Sequence, residues 1–145
     1  MITLHATCVD IDGRGVLLRG ASGAGKSDLA LRLIDAGAKL VSDDYVRLSL
    51  EDGGIRARPP KAIAGMIEAR GIGVVTVPHL AGTTLALVAD LVDSSDIPRL
   101  PDALTLELEG LEGIELRHIL IAPFEASAPA KIRLALSSEP VRSRD

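Results

Sequence analysis

The chain has 145 residues, 47% hydrophobic and 25% charged, a balance expected of one globular domain and not of a disordered segment or of two folded domains. A net charge of −4 and a Phe, Tyr and Trp content of only Tyr45 and Phe124 remove the cationic field and stacking platforms of a single-stranded nucleic-acid binder, so nucleic acid is not an expected partner. The lone Cys8 excludes an intramolecular disulfide or a zinc site of several thiolates; no apolar run reaches the ~20 residues of a membrane span and no secretion-signal plan opens the chain, so a cytoplasmic protein without a membrane partner is expected.

Residues Thr3 to Ile11 alternate loosely as a strand that carries His5 and a buried Cys8, and Asp12-Gly13 is a turn dipeptide. Gly15-Val16-Leu17-Leu18-Arg19 then reads as a short buried strand running into a glycine-rich loop. From Lys26, the residues Leu29, Ala30, Leu33 and Ile34 recur at helical spacing up to Gly37, which predicts a helix over 26–36. Lys39 to Ser42 is a short strand ending at Asp43-Asp44. Tyr45 to Glu51 and Ile55 to Arg58 form a predicted hairpin about Asp52-Gly53-Gly54, closed by Pro59-Pro60. The run Ile67 to Val77 is a polar, glycine-rich entry to a β-branched strand, and further strands are predicted at Thr84 to Leu91, Thr105 to Leu108, Ile114 to Ile121 and Lys131 to Leu136, with Pro98 and Pro101 bracketing a loop. A domain over 1–136 and a polar tail over 137–145, with Arg142 and Arg144, complete the chain. Strand outweighs helix: the expectation is a β-rich α/β fold rather than an alternating parallel one.

The chemistry centres on Gly20-Ala21-Ser22-Gly23-Ala24-Gly25-Lys26-Ser27, which matches the phosphate-binding loop pattern. Glycines let the backbone curl so that successive N–H groups face one anion, Lys26 adds a mobile positive charge for the β- and γ-phosphates, Ser27 offers its hydroxyl to Mg²⁺, and the helix start favours negative charge. A strand before the loop and a helix beginning inside it give the pattern its context. Phosphoryl transfer also needs a carboxylate near the metal and a proton acceptor. Three carboxylate candidates remain open on spacing alone. Asp43-Asp44 ends an apolar strand, so one side chain faces the phosphates and the other makes local contacts. Asp90 ends the apolar run Leu85 to Ala89, and Glu68 precedes Gly71-Ile72-Gly73. His79 and His118 show no metal-ligand spacing and read as structural. No motif marks a pocket for the base.

Together, His5, the Gly20 to Ser27 loop followed by Asp28, Ser42-Asp43-Asp44 and Glu68-Ala69-Arg70-Gly71-Ile72-Gly73 resemble the catalytic domain of bacterial HPr kinase/phosphorylase, in order from His5 to about Val77. The resemblance implies Asp44 as the proton acceptor, Ser27 and Glu68 as Mg²⁺ ligands, and His5 and Lys26 as further catalytic residues; Asp90 then becomes a strand-end residue. It implies ATP as phosphate donor, a serine of the phosphocarrier HPr as acceptor, removal of that phosphate in many members, a hexamer as homo-oligomer, and a fold resembling the nucleotide-binding core of phosphoenolpyruvate carboxykinase.

Two departures temper these expectations. Family members carry a separate amino-terminal domain and carboxy-terminal helices that contact HPr, so the chain resembles a short form. Where the family has an arginine serving both reactions, this sequence has Pro123-Phe124-Glu125-Ala126-Ser127, and Lys131 or Arg133 substitutes only if the fold brings one of them into the site. The sequence therefore predicts an ATP- and Mg²⁺-dependent serine kinase of an HPr-like phosphocarrier. Its rivals are a kinase of another hydroxyl substrate and a nucleotide-responsive module with little turnover.

Overall fold

In the structure, a computed structural model, residues 1–101 and 104–138 are described. The strands are β1 (Ile2–Leu4), β2 (Thr7–Ile11), β3 (Arg14–Arg19), β4 (Lys39–Ser42), β5 (Val46–Glu51), β6 (Gly54–Arg58), β7 (Met66–Ala69), β8 (Gly73–Thr76), β9 (Thr83–Leu91), β10 (Thr105–Leu106) and β11 (Leu116–Ile121). Helix α1 (Lys26–Asp35) follows β3, and α2 (Ala128–Ser137) follows β11. The predicted tail residues 139–145, Arg142 and Arg144 among them, lie outside the described residues.

Strand β9 is the spine. It pairs in parallel with β3 on one side and β11 on the other, while its first residues pair antiparallel with β6. Beyond β3 the sheet continues antiparallel through β2 to β4, and beyond β6 through β5 to β1. The result is a sheet-dominated α/β fold. Consecutive residues of β3 show why it is buried on both sides: Val16 and Leu18 face a core with Leu29 and Leu33 of α1 and Ile132 of α2, whereas Leu17 faces a second core with Val46, Leu48, Ile55 and Ala57 of the β5–β6 hairpin. A strand covered by a core on each face must be continuously apolar, and Val16, Leu17 and Leu18 are wholly buried.

Four expectations change. The segment Lys131 to Leu136 is helix, not strand: Pro129 occupies the first turn, and Ala128 and Ile132, four residues apart, are the positions it buries while Leu134 stays exposed. The run Ile67 to Val77 is a complete hairpin, β7–β8, separate from the main sheet, because Gly71 with φ +88° and Gly73 with φ +119° turn the chain back on itself. The strand expected over Thr3 to Ile11 breaks at His5-Ala6, since β1 pairs with β5 at one end of the sheet and β2 with β3 and β4 at the other, so the chain must step between the two ends. Strands β10 and β11 are also shorter than expected, ending at Leu106 and starting at Leu116. The 26–36 helix and the hairpin about Asp52 (φ +53°) and Gly53 (φ +76°) form as expected, the helix one residue shorter.

Candidate active site

The loop between β3 and α1 lies at the carboxyl end of the parallel strands, where open α/β sheets gather ligands. Gly23 and Gly25 take left-handed φ values of +81° and +99°, and a bond from Ala24 N–H to the Ala21 carbonyl (3.0 Å) tightens the curl. Gly25 caps α1. The first N–H groups of such a helix lack carbonyl partners of their own and favour an anion. Lys26 lies across this loop: its Nζ donates to the carbonyls of Gly20 (2.8 Å) and Ala21 (3.0 Å), and the side chain is largely buried.

Beside the loop stands a corner made by two crossings between the ends of the sheet. At His5-Ala6 the chain passes from β1 to β2, and at Asp43–Tyr45 it passes from β4 to β5; Ala6 N–H donates to the Asp44 carbonyl (3.1 Å), so the crossings face each other. Asp43 points inward. Its Oδ1 accepts hydrogen bonds from Ser27 Oγ (2.7 Å) and Thr7 Oγ1 (3.1 Å), and its Oδ2 from the Glu68 N–H (3.3 Å). Asp44 points outward, with a left-handed φ of +70° uncommon for a residue with a side chain. Its Oδ1 lies 2.8 Å from His5 Nε2, and the Tyr45 ring packs against the imidazole with centroids 5.1 Å apart. The Asp44 side chain remains 64% exposed, open to an incoming hydroxyl.

His5, Asp44 and the Gly20 to Ser27 loop thus converge, and they are joined through Thr7 and Asp43. Glu68 reaches the corner by its backbone, while its side chain, on the opposite face of β7 from buried Ile67, is exposed. Asp90 points elsewhere: Arg19 grips it with Nε and Nη2 (2.8 and 2.9 Å), and His118 Nε2 lies 2.7 Å from its Oδ2. Half-burial pushes the Asp90 carboxyl up, but the hydrogen bonds from Arg19 and His118 outweigh it and hold the group below the ordinary aspartate range. His79 bonds the Val77 carbonyl from a loop. Cys8 is buried in β2, and that burial pushes its thiol up.

Neither residue named as a stand-in cation is free at the loop. Lys131 Nζ donates to Glu125 (3.3 Å), and Arg133 donates to the Ala36 carbonyl past the far end of α1 (3.0 Å). Arg32, in the last turn of α1, is the cation that meets this segment: it donates to the carbonyls of Pro123 and Glu125 and pairs with Asp28. Sequence reasoning did not find Arg32, Thr7 or the place of Phe124, because each matters through tertiary contacts with segments distant in the chain. Asp43 was visible as half of an acidic pair, but nothing local showed which half faces Ser27.

As to a divalent cation, Ser27 Oγ and the Asp43 carboxylate are both hard oxygen donors and lie within one hydrogen bond of each other, a donor set that fits Mg²⁺ beside a phosphate chain.

The family model described as HPr Serine kinase C-terminal domain matches residues 1–94. An HPr kinase/phosphorylase of Clostridium botulinum is 44% identical over 84 residues, 58% of this chain and 28% of the relative, and one of Clostridium beijerinckii is 47% identical over 79 residues, 54% and 26% respectively. The chain therefore spans about a quarter of the length of these curated relatives. Among solved structures, the HPr(Ser) kinase/phosphatase from Coxiella burnetii superposes with a TM-score of 0.79 at 32% identity, covering 94% of this chain and 89% of that one.

Proposed function

The chain belongs to the HPr serine kinase C-terminal domain family, and from that premise we propose that it binds ATP with Mg²⁺ and transfers the γ-phosphate to a serine of an HPr-like phosphocarrier. The observation that carries this reading is the meeting, at one corner, of the Gly20 to Ser27 loop with the Asp43–Ser27 and His5–Asp44 contacts. A curled loop can only hold phosphates; a carboxylate against the loop hydroxyl and a second, exposed one beside it supply the remaining parts of a transfer site.

In this mechanism the loop amides and Lys26 Nζ grip the β- and γ-phosphates, the ammonium leaving its carbonyl partners at Gly20 and Ala21 for the anion. Ser27 Oγ, Glu68 and the inward Asp43 would hold Mg²⁺, which when bound neutralises charge on the β- and γ-phosphates. Asp44 accepts the proton of the serine hydroxyl as its oxygen bonds the γ-phosphorus. The bond from that phosphorus to the bridging oxygen breaks and ADP departs. His5 orients the Asp44 carboxylate through Nε2. With inorganic phosphate in place of ADP as acceptor, the same groups would remove phosphate from the serine: a phosphate oxygen bonds the phosphorus, the bond from that phosphorus to the serine oxygen breaks, Asp44 returns the proton to that oxygen, and pyrophosphate departs.

The same reading takes residues 1–136 as the catalytic domain, with a core like that of phosphoenolpyruvate carboxykinase, acting in the cytoplasm as a homo-oligomer. A second reading is a nucleotide-responsive module with little turnover, favoured by Glu125 and its Lys131 partner at the place where the family has a free arginine. Labelling of HPr serine from γ-labelled ATP separates the two: the kinase labels it, and the module binds ATP without labelling.

A further inference from the structure

Phe124 is an unusual residue to find in water. In a chain with a single phenylalanine and no tryptophan, it is 71% exposed, although many smaller apolar side chains are wholly buried. Its position is fixed rather than incidental. It sits in a turn closed by Glu125 N–H to the Ala122 carbonyl (3.3 Å), and the Ala128 N–H bonds the Glu125 carbonyl (3.1 Å). Arg32 on α1 donates to the carbonyls on both sides of it, those of Pro123 and Glu125. Braced this way, the ring lies against Gly25: a β-carbon on that glycine would stand 2.8 Å from Phe124 Cζ and 3.0 Å from Cε1. Residues 28 and 32 follow the N-cap Gly25 along one face of α1, so the clamp from Arg32 and the ring over Gly25 belong to the same side of the helix.

We propose that Phe124 is the stacking platform for the base of the nucleoside triphosphate whose phosphates occupy the Gly20 to Ser27 loop. The proposal rests on the reading that this loop holds a nucleoside triphosphate. With the phosphates in the loop, the ribose and base must leave it across its rim, and the ring against Gly25 is an apolar surface on that rim; the other aromatic ring of the chain, Tyr45, packs on His5 instead. A phenyl face suits any nucleobase, since every base presents a π-face, which explains how a site with no sequence motif for adenine can retain a nucleoside. Burial does not account for the residue, since most of the ring is left in water.

The test compares Mg²⁺-ATP with Mg²⁺-tripolyphosphate, which offers the same phosphate chain without a base, by titration calorimetry on the wild type, Phe124→Ala and Phe124→Trp. Phe124→Ala should weaken ATP roughly tenfold, within the range of one base-aromatic stack, and leave tripolyphosphate binding unchanged. Phe124→Trp should restore ATP affinity, and its indole emission, from a chain otherwise without tryptophan, should respond to ATP and not to tripolyphosphate. Equal losses for both ligands, or no loss for ATP, overturn the platform while leaving the phosphate loop standing. Failure of the wild type to bind either ligand overturns the loop reading, and the platform with it. Matching thermal melts of the variants establish that each is folded.

Discussion

Asp43 and Asp44 share a sequence environment and differ in everything else. In the bend beyond β4, with Asp44 at a left-handed φ, one points inward to three donors and the other outward to a histidine. Replacing Asp43 with Ala strands Ser27 Oγ, Thr7 Oγ1 and the Glu68 N–H; thermal or urea unfolding should show a loss of about 1–3 kcal/mol, and Mg²⁺-dependent strengthening of nucleotide binding should largely disappear. At Gly25 two constraints coincide, a φ of +99° and the Phe124 ring where a side chain would begin. Gly25→Ala should therefore lower stability and abolish tripolyphosphate binding. Adding Phe124→Ala should recover only part of the stability, because the clash is relieved while the backbone strain remains. Full recovery would mean that the ring alone required the glycine.

Among the elements, α2 shows what the sequence could and could not say. Lys131-Ile132-Arg133-Leu134-Ala135-Leu136 alternates apolar and polar as a strand does, and that period would put Ile132 and Leu134 on one face. In the helix, Ile132 is wholly buried and Leu134 is 63% exposed. Ile132→Ala should cost about 2–5 kcal/mol by denaturant unfolding, whereas Leu134→Ala should be close to neutral; comparable losses at both sites would restore the strand. Short segments are ambiguous by period alone, and the decisive cues here were Pro129 and the alanines, read against packing on α1, β9 and β11. By contrast, the phosphate loop and its helix were legible because the glycines, lysine and serine act within eight adjacent residues. The carboxyl ends of β3 and β9, with His118 of β11, carry a further prediction. Arg19 and His118 hold Asp90 below its ordinary range, so its contribution to stability is present above about pH 4 and is lost as pH falls through the depressed folded-state value. Acid unfolding curves should therefore be shallower below about pH 4 for Asp90→Asn than for the wild type; an identical acid limb would remove Asp90 from the account.

At the scale of the whole molecule, the site is produced by topology. The chain crosses between the two ends of the sheet once at His5-Ala6 and again at Asp43–Tyr45, and the pairing of β1 with β5 and β2 with β4 brings these crossings together beside Ser27. No local pattern announces this, since His5 and Asp44 are 39 residues apart; the family resemblance implies a role for each, but not their contact. Asp44, the exposed member of the acidic pair, carries the central claim.

The most direct measurement is transfer of label from γ-labelled ATP to the serine of HPr, by wild type and by Asp44→Asn, with ATP affinity measured in parallel. The account predicts labelling by the wild type that falls by roughly 10²–10⁴-fold in the variant, with ATP affinity retained because the loop, Lys26 and Asp43 are untouched. Unchanged labelling by Asp44→Asn would remove Asp44 as the proton acceptor, and tight ATP binding with no labelling by the wild type would contradict the kinase reading itself.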